Sequence, residues 1–182
     1  GMGMERTVAV LNGFDNVYET ELFQPIIKKI EDLTDRSFKL QASSFKIIAD
    51  HLKSAAFILA ENIEPSNVER GYVLRRLIRR AVRHGRQIGI EDIFTHKIAK
   101  AVIDIYKDIY PELSKNKDFI EEQLVKEEEK FSQTLESGLK EASKRKITGK
   151  EAFDLYQSYG FPFELSRELA KEQGYELDER EF

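Results

Sequence analysis

The sequence predicts an all-α fold, and three observations lead there. Apolar residues recur at helical spacing along most of the chain. Punctuation is sparse, with four prolines and ten glycines in 182 residues. Helix-start and helix-stop residues bracket the most regular segments. The expected architecture is a multi-helix domain with one long amphipathic helix, preceded by an N-terminal element that reads as a strand or a helix.

That first element is Met4 to Leu11, closed by Asn12-Gly13. Thr20 is then expected to cap a helix bearing Leu22, Phe23, Ile26, Ile27 and Ile30, with Pro25 tolerated in its first turns. Ser43 or Ser44 opens "FKIIADHLKSAAFILAEN", where Ile47, Ile48, Leu52, Ala55, Ala56 and Leu59 mark a buried side. His51 on that helix reads as a satisfied core histidine. "DIFTHKIAKAVIDIYKDIY" is a further helix stopped by Pro111. From Lys117 to about Arg145, Phe119, Ile120, Leu124, Phe131, Leu135 and Leu139 give the long amphipathic helix, which Gly149 is expected to break. "KEAFDLYQSYGFPFELSRELAKEQG" reads as two short helices pinched at Gly160-Phe161-Pro162, and "YELDEREF" as a short extended piece or the first residues of another helix.

The totals exclude several classes. Hydrophobic content of 41% buries a real core, and 34% charged residues solvate the surface. No apolar run reaches the length of a membrane span, and no secretory leader opens the chain. Cysteine is absent, which removes disulfides and thiolate metal sites and fits a reducing cytoplasm. His51, His84 and His96 are too scattered for a metal cluster. A net charge of −4 leaves nucleic-acid binding open, because that depends on local charge.

Local charge is concentrated in "RGYVLRRLIRRAVRHGR", Arg70 to Arg86, which holds seven arginines and neither lysine nor an acidic residue. Ser66-Asn67-Val68-Glu69 matches a capping box, and Gly85 sits where a helix end favours positive φ. These signals predict a helix from about Asn67 to His84. On a wheel with Arg75 at zero, Arg86, Arg79, Arg83, Arg76 and Arg80 fall between roughly 0° and 140°. Val73, Leu77, Ala81, Leu74, Ile78 and Val82 fall between roughly 160° and 340°. One face is core and the other is guanidinium. Three readings compete: a solvated face paired internally, a membrane-surface helix, and a phosphate-binding face. Internal pairing along the helix has only Glu69 to draw on, and other helices offer further partners, for instance the carboxylates of Glu121 to Glu129. The apolar side is small and aliphatic, as core packing prefers over a membrane surface. Arginine rather than lysine suits bidentate contact with phosphate or base edges.

Three motifs in order resemble a known family. "GMGMER" resembles motif 3 of class II aminoacyl-tRNA synthetases. "IIADHLKSAAFILAENIEPSNVERGYVLRRLIRRAVRHG" is similar to the signature helices of the alanyl-tRNA synthetase family. "AFDLYQSYGFPFEL" resembles the segment leading out of that family's aminoacylation module. The resemblance covers essentially the whole chain. It implies a piece of a longer enzyme, with residues 1–35 a motif 3 remnant of the catalytic domain and 36–182 a helical domain recognising the tRNA acceptor stem. The intact enzyme would activate alanine with ATP and magnesium and transfer it to alanine tRNA. This piece would bind and position the RNA, hold no catalytic residue or metal, and be inactive alone.

The same resemblance implies roles for single residues. Arg6 matches the arginine that contacts the ATP γ-phosphate, while Gly1 and Gly3 leave room for the adenine. Asn67 matches the asparagine that helps read the guanine–uracil wobble pair of the acceptor stem. Glu164 occupies the place where the family often has aspartate, whose carboxylate accepts from the guanine amino group in the minor groove. Arg75, Arg79 and Arg83 would hold backbone phosphates, with Arg79 the foremost. The wheel puts Tyr72 at roughly 60°, amid the arginines, where it would stack on a guanidinium, with a sugar as the alternative. The wheel puts Asn67 near 280°, off the arginine face, so it would reach RNA only from the helix end. Without the family context, the same residues fit a stand-alone helical nucleic-acid module or a domain that binds an acidic protein.

Overall fold

A computed structural model of the chain describes residues 3–178 and 180. Among these residues every regular element is helical. The helices are α1 (Met4–Leu11), α2 (Gln24–Glu31), α3 (Phe38–Ala60), α4 (Glu69–Gln87), α5 (Thr95–Tyr106), α6 (Pro111–Lys115), α7 (Lys117–Ala142), α8 (Gly149–Tyr159) and α9 (Phe163–Glu172). The ambiguous N-terminal element is therefore a helix rather than a strand. No described helix is long and apolar enough to cross a membrane.

Several boundaries differ from the sequence reading, each for a local reason. Thr20 does not cap α2. It is buried and its hydroxyl donates to the Val17 carbonyl at 2.6 Å, closing a 3₁₀ turn over Val17–Glu19. Helix α2 begins at Gln24 instead, with Pro25 in its first turn, where a missing N–H costs nothing. Helix α3 starts earlier than Ser43 but carries non-helical backbone at Gln41 (φ −129°, ψ 32°). Its regular part thus begins close to the expected serines. Two helices, α3 and α7, exceed twenty residues where one long helix was expected. Gly149 does not end α7, which stops at Ala142. It opens α8, capped by Thr148 in a reciprocal box with Glu151.

The chain forms two compact units, one through Val125 and the other from Lys126. In the first, α3 packs chiefly on α4 and also on α2 and α5. Its core joins Ile26 and Ile30 from α2, Phe45, Ile48, Leu52 and Leu59 from α3, Leu74 and Ile78 from α4, and Ile98 and Val102 from α5. The apolar arc of the arginine helix lies in this core: Leu74, Ile78, Ala81 and Val82 are fully buried. In the second unit α8 and α9 pack together, joined by Gly160 (φ 70°) and Pro162, as the pinch in the sequence predicts. Phe161 is buried with its ring 5.7 Å from that of Phe131. It also lies so close to Gly138 that a methyl group there would overlap it.

Candidate nucleic-acid interface

The segment before α4 decides how the basic helix meets its surroundings. Ser66 does not cap the helix; its hydroxyl donates to the Val68 carbonyl at 3.0 Å. The Ser66 amide donates to the Gly71 carbonyl at 3.0 Å, which folds residues 66–71 into a tight loop. Gly71 is required there, because a Cβ would overlap Ser66 Oγ and lie 2.6 Å from the Glu64 carbonyl oxygen. The N-cap is Val68 and α4 starts at Glu69, so the capping box read from the sequence does not form.

Asn67 is consequently a loop residue, exposed to solvent. Its wheel angle off the arginine face has no meaning, since it is outside the helix. Its Oδ1 accepts from Arg75 Nη1, and Arg75 Nη2 donates to the Pro65 carbonyl at 3.2 Å. Glu69 holds φ of +48°, a left-handed conformation that costs a residue with a Cβ about 1–2 kcal/mol. Glu69→Gly is expected to raise stability by about 1 kcal/mol, read as a higher urea midpoint with an unchanged slope. A lower midpoint would show that its charge at the helix N-terminus outweighs the strain.

The other end of α4 also departs from expectation. The helix continues through Gly85 to Gln87, and the positive φ falls at Gly89 (φ 88°). Gly85 is small for another reason: a Cβ would lie 2.5 Å from Cε1 of the Phe94 ring.

The arginine face is not uniformly open. Arg75, Arg76, Arg80 and Arg86 are half-buried, but Arg79 and Arg83 are 6% and 3% exposed. Both engage partners within the protein. An amphipathic wheel marks which side is polar but not how much of it faces water. Arg86 Nη1 donates to the carbonyls of Ile90, at 2.9 Å, and Glu91. Arg80 Nη1 lies 3.0 Å from His51 Nε2. A guanidinium has only donors, so Nε2 accepts and His51 is the neutral tautomer with its proton on Nδ1. His51 is thus satisfied, as predicted, though half-buried rather than deep in the core. The Arg76 guanidinium stacks 5.9 Å from the Tyr72 ring centroid, the partner expected for that tyrosine.

Glu164 lies in the first turn of α9, half-buried, where the helix dipole favours a carboxylate. It belongs to the second compact unit, whereas Asn67 and the arginines belong to the first.

At the N-terminus, Gly3 and Arg6 are exposed and line a cleft of about 720 Å³ with Tyr18, Asp50 and Lys53. Gly1 lies outside the described residues. The cleft lining holds a polar network that sequence reasoning missed, because its hydrogen bonds join residues that lie 32 and 48 positions apart in the chain and none forms a motif. Tyr18 Oη donates to Asp50 Oδ2, and Lys53 pairs with Glu5. Burial lifts the Asp50 carboxyl above its usual range, against the opposing hydrogen bond from Tyr18. Burial, then that same bond to Asp50, pushes the Tyr18 phenol up. The hydrogen bond from Lys53 lowers Glu5. Among the described residues no three carboxylates or imidazoles gather to hold a metal ion.

Comparison with known proteins places this geometry in context. The family model described as "tRNA synthetases class II (A)" matches residues 1–182. Alanine–tRNA ligase of Streptococcus thermophilus is 43% identical over 194 residues, covering 100% of this chain and 22% of that protein. Alanine–tRNA ligase of Francisella philomiragia is 43% identical over 189 residues, with the same coverages. The corresponding ligase of Borrelia hermsii is 43% identical over 194 residues, and the match spans 33% of its length. The chain therefore spans between about a fifth and a third of these relatives, 22% to 33%. The full-length match to the family model, with 43% identity over the whole chain to alanine–tRNA ligases, shows that the chain belongs to the class II alanyl-tRNA synthetase family.

Proposed function

We propose that this chain is the tRNA-binding part of a cytoplasmic alanine–tRNA ligase, and that it recognises the acceptor stem of alanine tRNA. The observation that carries the reading is the presentation of Asn67. It stands exposed on a loop closed by the Ser66–Gly71 backbone bond and braced by Arg75, at the head of a helix rich in arginine. An A-form stem offers its base edges in a wide, shallow minor groove, which suits a short side chain on a projecting loop. Glu164 would accept from the guanine amino group of the wobble pair, in the role of a carboxylate reader.

The basic helix supplies attraction and register. Arg79 and Arg83, being buried, would act on the RNA through their field rather than by touching phosphate. Arg75 remains nearest the loop. Residues 1–35 are assigned to the motif 3 end of the catalytic domain and 36–182 to RNA recognition. Gly1, Gly3 and Arg6 would face ATP, and the cleft beside Gly3 and Arg6 is roomy enough for part of a nucleotide. Alanine activation, and the magnesium it uses, are assigned to other parts of the ligase. This piece binds and positions, and it makes no adenylate by itself.

Competition between two short duplexes tests the reading. One is the alanine tRNA acceptor stem, and the other carries guanine–cytosine in place of the wobble pair. The chain is expected to prefer the wobble duplex by about tenfold, as one well-placed base-edge contact supplies. Equal affinity for both would contradict specific recognition.

A further inference from the structure

Asn67 is presented by a contact that has its own consequences. The Asn67 amide has two unlike ends, an acceptor oxygen and a donor NH2 group, and its function depends on which one faces outward. Arg75 settles this. A guanidinium can only donate, so the group it meets on Asn67 must be Oδ1. With the oxygen turned to Arg75, the NH2 group is the end left to face solvent.

Arg75 is itself held. Its second nitrogen donates to the Pro65 carbonyl at 3.2 Å, so one planar fork spans the backbone before Asn67 and the side chain of Asn67. Arg75 is half-buried, whereas Asn67 is exposed. A phosphate-gripping arginine would show the reverse, with its head group outward and its stem on the helix. The anchor lies eight residues beyond Asn67, on the regular part of α4. Leu74, its neighbour on that helix, is fully buried, and the helix packs on α3.

We propose that Arg75 is a positioning residue, which locks the rotation of the Asn67 amide so that it meets RNA as a donor. This rests on the reading of Asn67 as a base-edge reader. It also refines that reading: an outward NH2 group is matched by the uracil O2 or guanine N3 acceptors of the minor groove. The guanine amino group is a donor and must be met by a different residue. The assignment moves Arg75 from the set that grips phosphate to the set that chooses.

The test uses Arg75→Lys and Arg75→Ala in the 182-residue chain, with Asn67→Ala to identify the Asn67 side-chain amide resonances. Lysine keeps the charge but lacks the planar two-pronged fork. Circular dichroism confirms that each variant is folded, and the lysine variant stands in if alanine unfolds the loop. Both variants are expected to shift the Asn67 Nδ2 resonances in the free protein. Both are also expected to lower the wobble preference by about tenfold. Arg75→Lys, which keeps the charge, leaves affinity for the guanine–cytosine duplex nearly unchanged, and Arg75→Ala additionally weakens both duplexes alike through the lost charge. Asn67→Ala combined with Arg75→Ala is expected to lower the preference no more than Asn67→Ala alone. Unmoved Asn67 resonances in a folded variant would overturn the proposal. So would full retention of the preference by Arg75→Lys together with an equal loss for both duplexes in Arg75→Ala, which is the behaviour of a phosphate contact. If Asn67→Ala leaves the preference intact, the base-edge reading fails on its own, and the resonance shift alone decides the role of Arg75.

Discussion

Phe94→Ala is expected to lower stability by about 3–5 kcal/mol, the range for truncating a fully buried aromatic ring. Phe94 is 0% exposed and its ring rests on Gly85, where the last turns of α4 leave no room for a methyl group. The contact predicts a sign change. Gly85→Ala alone is expected to destabilise by about 1–2 kcal/mol, because overpacking against the ring exceeds the gain in helix propensity. In the Phe94→Ala background the obstruction is gone, and the same substitution is expected to stabilise by up to about 1 kcal/mol. Urea midpoints of the four proteins complete the cycle. Additive effects within about 0.5 kcal/mol would mean that the ring and the glycine do not interlock.

Gly71→Ala is the second large effect, and it joins stability to function. The added Cβ would meet Ser66 Oγ and Cβ and the Glu64 carbonyl oxygen, and two of those three atoms cannot rotate away. The loop must open, breaking the Ser66–Gly71 backbone bond. A cost of about 1–3 kcal/mol is expected. The core of the first unit should survive, since Leu74 and Ile78 lie further along the helix. The wobble preference, by contrast, should fall toward unity because Asn67 loses its support. Unfolding curves and the duplex competition, measured on the same variant, separate the two effects. A loop variant that is destabilised yet fully selective would detach Asn67 from recognition.

How much of this was legible in the sequence follows from the kind of information each feature needs. The buried arc of α4 was readable because burial of Leu74, Ile78 and Val82 follows from helical spacing alone. The break at Gly160-Phe161-Pro162 was readable because those residues impose it locally. The start of α4 was misread because Ser66 and Glu69 fit a capping box equally well on paper. The real constraint is the close approach of Gly71 to residues 64 and 66, a contact that leaves no mark in a pattern. Gly85 was misassigned for the same reason, its partner Phe94 being a packing neighbour rather than a capping signal.

The candidate site divides along similar lines. Asn67, Glu164 and Arg6 were identified through resemblance, and composition would not have singled them out. The wheel separated guanidinium from core but gave Arg75, Arg79 and Arg83 one shared task. Burial separates them: two are enclosed, and one reaches back to hold the asparagine. The network of Tyr18, Asp50, Lys53 and Glu5 arises only when α1, α3 and the 3₁₀ turn meet, so no local reading contains it.

The central claim is that Asn67, fixed on its braced loop, reads the wobble pair of the acceptor stem. Its most direct test is the duplex competition repeated with Asn67→Ala, a substitution at an exposed loop residue that should leave folding untouched. The account predicts that the variant binds the guanine–cytosine duplex as the unaltered chain does and loses its roughly tenfold preference for the wobble duplex. A variant that keeps the preference would contradict it.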